Sequence, residues 1–123
     1  MLNGRSVLII EQEFLIALDI QRILEQAETG RTVFARSLEE AARLEGEWSA
    51  FDIAIIDTPH DDMDAHAMAD ALRSRGVGVV VSTGDLALRR RLSPEVPVVV
   101  KPFNEADLLG ACARALKGAS EPA

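Results

Sequence analysis

A chain of 123 residues with a formal charge of −7 is the size of one domain. It is too acidic for a binder of duplex nucleic acid, which needs a net basic surface to meet phosphates. Hydrophobic residues make up 48% of it, enough to bury a core and too many for a disordered segment. The apolar runs are far shorter than a membrane span, and the opening MLNGRSVLII, interrupted at once by EQE, is not expected to act as a signal peptide. One cysteine, Cys112, excludes an internal disulfide framework and most cysteine-based metal sites, so the expected compartment is the cytoplasm.

The first apolar run, SVLII (6–10), is short and continuous, as strands are when both faces of a parallel sheet are covered. A helix is expected over 13–27, where Phe14, Leu15, Ala17, Leu18, Ile23 and Leu24 recur at helical spacing, with Gly30 as its stop. RTVFA (31–35) reads as a weaker, edge-like strand. In SLEEAARLEGEW (37–48), Ser37 followed by Glu40 is a capping-box pattern for a second helix, and Trp48 is expected to pack in or at the edge of the core.

FDIAII (51–56) is the third strand. The stretch after it, DTPHDDMDAH, is crowded with acids. His60, Asp61, Asp62, Asp64 and His66 have the chemistry of metal ligands, but their position at the start of a helix favours a solvated loop with Asp62 or Asp64 as cap. That helix, 63–76, has acids first, arginines last and a terminal glycine, and Met63 and Met68 are expected to fill core. VGVVVS (77–82) is the fourth strand, DLALRRRL (85–92) a short helix, and VPVVV (96–100) the fifth strand. The arginines of LRRRL (88–92) read as a solvated face or as a patch for an acidic partner. A last helix over 104–118 starts at Asn104, ends at Gly118 and carries Leu108, Leu109, Cys112 and Leu116 on one side. Cys112 is expected to be a buried small side chain. The domain is expected to span 1–118, with 119–123 a disordered tail.

Strand and helix thus alternate five times. That order predicts right-handed crossovers and a doubly wound α/β fold with a parallel five-stranded sheet. Ligands of such sheets sit at the carboxyl ends of the strands. There the sequence places Glu11, Gln12 and Glu13 after strand 1, Asp57 after strand 3, Thr83 and Gly84 after strand 4, and Lys101 and Pro102 after strand 5. This set suits phosphoryl chemistry. Carboxylates hold a hard divalent cation, an Asp can carry an acyl phosphate, and a hydroxyl and an ammonium can bond phosphoryl oxygens.

The pieces VLIIEQEFLIALDI, FDIAIIDT, VVVSTGD and VVVKPFNEADLLGA, in this order, resemble the receiver domain of two-component response regulators from about Val7 to Leu116. The resemblance implies a flavodoxin-like (βα)5 fold with strand order 2-1-3-4-5 and a phosphorelay function without enzymatic activity of its own. It places the phospho-acceptor at Asp57, the phosphate-contacting groups at Thr83 and Lys101, and Mg2+ on Glu11, Gln12, Asp57 and the backbone carbonyl of Pro59. It also implies a Lys101–Pro102 bond that is often cis. The phosphodonor would be a histidine kinase or a phosphotransfer protein. A downstream protein would engage the face made by the 85–92 helix, strand 5 and the 104–118 helix, with no part for nucleic acid or membrane. Nothing in the sequence decides for or against a homodimer on that face.

Five positions depart from the pattern. Gln12 replaces an acid that would ligate the metal, a loss of one charge worth about 1–4 kcal/mol at contact range. Pro59 stiffens the loop after Asp57, and Asp61 stands where the family has a proline. Val98 occupies the switch position without an aromatic ring, and Asp85 adds negative charge near an incoming phosphoryl group. These departures leave a rival reading, a degenerate receiver that works by binding alone. A phosphatase of the haloacid dehalogenase type would need an Asp at position 59, and a flavodoxin-type cofactor binder a Ser/Thr/Gly-rich loop in place of EQEF.

Overall fold

In the computed structural model, which describes residues 2–58, 63–85, 87 and 95–120, five strands form one parallel sheet in the order β2-β1-β3-β4-β5. The elements are β1 (Val7–Ile10), α1 (Phe14–Gln26), β2 (Thr32–Ala35), α2 (Leu38–Arg43), a 3-10 turn (Glu45–Ala50), β3 (Ile53–Asp57), α3 (Met63–Ser74), β4 (Gly78–Thr83), β5 (Val98–Val100) and α4 (Glu105–Ser120). The 85–92 helix expected from the sequence falls mostly outside the described residues, as do Pro59, His60, Asp61 and Asp62.

Alternate residues of each strand serve opposite faces of the sheet. Val7, Ile9, Ile53, Ile55, Val80 and Val99 pack against Ile20 and Leu24 of α1 and Leu108, Ala111 and Cys112 of α4. Leu8, Ile10, Ala54, Ile56, Val79, Val81 and Val98 pack against Ala41, Trp48, Ala69 and Leu72 on the other side. Two buried faces are why the strands read as continuous valine and isoleucine runs. Trp48 is buried, and its indole N–H donates to the Ala41 carbonyl at 2.9 Å.

Local chemistry sets the helix starts. The Ser37 hydroxyl accepts from the Glu40 amide at 3.1 Å, and Asn104 Oδ1 accepts from the Asp107 amide at 2.8 Å, each satisfying an otherwise unpaired first-turn donor. At the end of α3, Gly76 takes φ +83°, the left-handed turn that glycine permits without strain. Gly78 lets α4 approach: a Cβ there would lie 2.7 Å from the Ala115 carbonyl oxygen.

Several expectations are corrected. The face of α1 that is buried is Ala17, Ile20, Ile23 and Leu24, while Phe14 is 65% and Leu15 79% exposed and Leu18 is also exposed. The apolar residues of this helix cover more of its circumference than the sheet does. Its stop is not Gly30: the helix ends at Gln26, and Glu28 takes the left-handed conformation at φ +67°. The second helix is shorter than 37–48, because after Arg43 the chain tightens into the 3-10 turn that brings Trp48 under α2. Met63 is exposed although Ala65 in the same turn is buried, so it lies on the outer face of α3, whereas Met68 does pack against the core. Gly118 does not end the last helix, which continues to Ser120; glycine lowers helix stability without forbidding it.

Candidate functional site

Three charged side chains meet at the carboxyl edge of the sheet. Glu11 leaves β1, Asp57 ends β3, and Lys101 leaves β5. Because β1 and β3 are neighbours, the two carboxylates are brought side by side, and the long Lys101 side chain reaches them past the end of β4. Lys101 Nζ donates to Asp57 Oδ1 at 2.5 Å and to Glu11 Oε1 at 3.1 Å. Glu11 has a second bond, from the Glu13 amide to its Oε2 at 3.1 Å.

Burial governs the charges. The Glu11 side chain is 1% exposed. That burial is the main cause of a pKa raised above the ordinary 4.5, and the nearby Asp57 charge adds to it, while the Glu13 amide and Lys101 pull the other way. For Lys101, burial disfavours the ammonium, but the bond and charge of Asp57, followed by those of Glu11, outweigh it, and the pKa is raised above 10.5. The lysine is therefore a fixed positive charge between two acids at neutral pH.

The other strand-end residues stand differently. Thr83 is fully buried; its carbonyl accepts from the Lys101 amide at 2.8 Å and its hydroxyl from the Asp85 amide at 3.0 Å. It is one residue out of phase with Asp57 and belongs to the sheet face of Val79 and Val81. Gln12 is exposed and outside the Lys101–Glu11–Asp57 bonds. Val98 is buried in the second core. The Lys101–Pro102 bond is cis. One residue the sequence did not single out is Ser82, the ladder partner of Asp57; a hydroxyl inside a valine run was its signal.

The donor set suits a hard cation in kind, since Glu11 and Asp57 offer only oxygen. It is small: among the described residues no group of three or more His, Cys, Asp or Glu side chains is arranged to hold a metal ion. With Lys101 between them, the two carboxylates carry one negative charge in excess, so a divalent ion meets a weaker field than three acids would provide.

No family model matches the chain and no curated protein is similar to it, but solved structures are. A response regulator receiver protein from Sinorhizobium medicae superposes with a TM-score of 0.78 at 22% identity, covering 98% of this chain and 100% of that one. The fold is that of a receiver domain. The receiver domain of a sensor histidine kinase from Pseudomonas aeruginosa, whose structure has a magnesium ion coordinated in the active-site cleft, gives a TM-score of 0.73 at 19% identity over 93% of this chain and 98% of its own. The anti-anti-sigma factor PhyR of Bartonella quintana is 27% identical with a TM-score of 0.68, over 92% of this chain and 48% of that chain. Among the described residues, no helix is long and apolar enough to cross a membrane.

Proposed function

We propose that this receiver-fold domain is a phosphorelay signalling module that accepts a phosphoryl group on Asp57. The observation that carries the reading is the Lys101 ammonium bonded to the carboxylates of both Asp57 and Glu11 at the carboxyl edge of a 2-1-3-4-5 sheet. Lys101 is already placed beside Asp57 Oδ1. When the other carboxylate oxygen attacks phosphorus, the bond from phosphorus to the donor's histidine nitrogen breaks with its electron pair left on that imidazole, and the ammonium is free to follow the charge that arrives on the phosphoryl oxygens. The Thr83 hydroxyl accepts from the Asp85 amide at the end of β4 and keeps its own proton, so although it is out of phase with the Asp57 side chain it would donate to a phosphoryl oxygen lying beyond the strand ends. Mg2+ would be held by Glu11 and Asp57, with the neutral side chain of Gln12 and the backbone carbonyl of Pro59 completing the oxygen set; bound there, it offsets phosphoryl charge.

The donor would be a histidine kinase or a phosphotransfer protein. Phe14 and Leu15 form an exposed apolar surface at the start of α1, three and four residues past Glu11, where such a protein could rest while reaching Asp57. The phosphorylated domain would then act through protein contacts on the β5 and α4 side. The magnesium ion in the active-site cleft of the Pseudomonas aeruginosa receiver domain and the likeness to the anti-anti-sigma factor PhyR support this reading.

The test is incubation with acetyl phosphate and Mg2+, with intact-mass detection of the adduct. Labelling of the wild type that vanishes in Asp57→Asn supports the relay. Absence of labelling at saturating Mg2+ overturns it and leaves a domain that works by binding alone.

A further inference from the structure

The interior of the sheet holds one polar group that the packing does not explain. Ser82 is fully buried, and its Oγ has no hydrogen-bond partner among the described residues. Buried hydroxyls are costly to leave unpaired, so an orphan in a strand that could have carried another valine asks for a use. Ser82 is the ladder partner of Asp57. By the two-residue period of the strands, Asp57 follows Ile53 and Ile55 while Ser82 follows Val80, all on the same sheet face. Glu11, after Val7 and Ile9, and Lys101, after Val99, share that parity. Thr83 does not, and its hydroxyl already accepts a bond from Asp85.

Partner residues on neighbouring strands lie about 4.8 Å apart with side chains in the same direction. A hydroxyl on one is within a rotamer change of a carboxylate on the other. Asp57 Oδ1 is held by Lys101 in the unmodified domain, and it is the oxygen left without a donor once Lys101 follows the phosphoryl group. Resting on the phospho-acceptor reading, we propose that Ser82 is a positioning residue whose hydroxyl turns to donate to the Asp57 carboxyl group when Lys101 moves to the phosphoryl group.

The consequence has a direction. In hydrolysis, water forms a new bond to phosphorus, the bond from phosphorus to the Asp57 oxygen breaks with its electron pair left on the carboxylate, and the water protons go to the released phosphate. A donor on the Asp57 carboxyl group stabilises that leaving group. Removing it should lengthen the life of the acyl phosphate by about fivefold, the net worth of one hydrogen bond.

The experiment labels wild type, Ser82→Val, Ser82→Thr and Thr83→Val with acetyl phosphate and follows decay of the adduct by intact mass, alongside urea unfolding of each. The expected result is slower decay in Ser82→Val, a near-normal rate in Ser82→Thr, and no loss of stability in Ser82→Val. Equal decay in wild type and Ser82→Val, with labelling intact in both, overturns the role of Ser82 alone. Failure of the wild type to label overturns the phospho-acceptor reading, and this inference with it.

Discussion

The Lys101 ammonium lies 2.5 Å from Asp57 Oδ1 while also bonding Glu11, so one cation holds two acids from different strands together. Lys101→Met removes both bonds and leaves two carboxylates facing each other at low exposure. The variant is expected to lose about 1.5–3 kcal/mol of stability at neutral pH, the range for hydrogen bonds to charged groups. Urea unfolding of variant and wild type measures it. An unchanged midpoint would mean that the three side chains are independently solvated.

The same cluster gives a pH dependence whose sign is fixed by Glu11. Its carboxyl holds a proton more tightly folded than unfolded, because burial raises its pKa above 4.5. It therefore contributes stability that is complete below that value and is lost as pH rises through the raised folded value. Glu11→Gln cannot ionise and lacks this loss. The difference in unfolding free energy between wild type and Glu11→Gln should shift toward the variant as pH rises from about 4.5 toward neutrality. Lys101 acts at the far end: its raised pKa means that its contribution is intact below 10.5 and fades above it.

Much of this arrangement was legible in the sequence, and the reasons are local. The strands could be read because each is buried on both faces, and Glu11, Asp57 and Lys101 follow directly from where those strands stop. The exposure of Phe14 and Leu15 could not be read, because hydrophobic spacing marks the apolar face of a helix and not the width of the sheet that covers it. The early end of α2 depends on where Trp48 finds a hydrogen-bond acceptor, a tertiary contact with no spacing rule. Ser82 showed in the sequence only as a hydroxyl closing a valine run, for a related reason: its interest lies in the residue opposite it on β3, and register is a property of the assembled sheet.

Gln12 offers a test of the metal side that does not depend on phosphorylation. Gln12→Asp restores one negative charge beside Glu11 and Asp57. Mg2+ affinity should rise about fivefold or more, as one unit charge at contact range is worth about 1–4 kcal/mol. Calorimetric Mg2+ titration of the two proteins reads the difference directly. Equal affinities would place position 12 outside the coordination sphere.

Gly78 tests how α4 is seated against the sheet. A Cβ at that position meets the Ala115 carbonyl oxygen at 2.7 Å and its carbon at 2.9 Å, and both are backbone, so neither can rotate away. Gly78→Ala should destabilise the fold by about 1–3 kcal/mol, as overpacking does, even though alanine is the better residue in conformational terms. A thermal melt of the variant suffices; a rise in melting temperature would show that α4 can shift outward at no cost.

Cys112 reports whether that same helix opens. It is fully buried between α4 and the sheet, and burial pushes its thiol up to about 12. Almost no thiolate exists at neutral pH, and no reagent can reach it without local or global unfolding. Labelling with a maleimide in native buffer should be slow and should accelerate across the urea transition in step with the loss of far-ultraviolet ellipticity. Fast labelling well below the transition would reveal an opening of α4 that precedes unfolding. Because Gly78 and Cys112 sit on the same interface, Gly78→Ala should speed native labelling by the factor that its stability loss predicts, about tenfold for each 1.4 kcal/mol, if α4 leaves only when the whole domain unfolds.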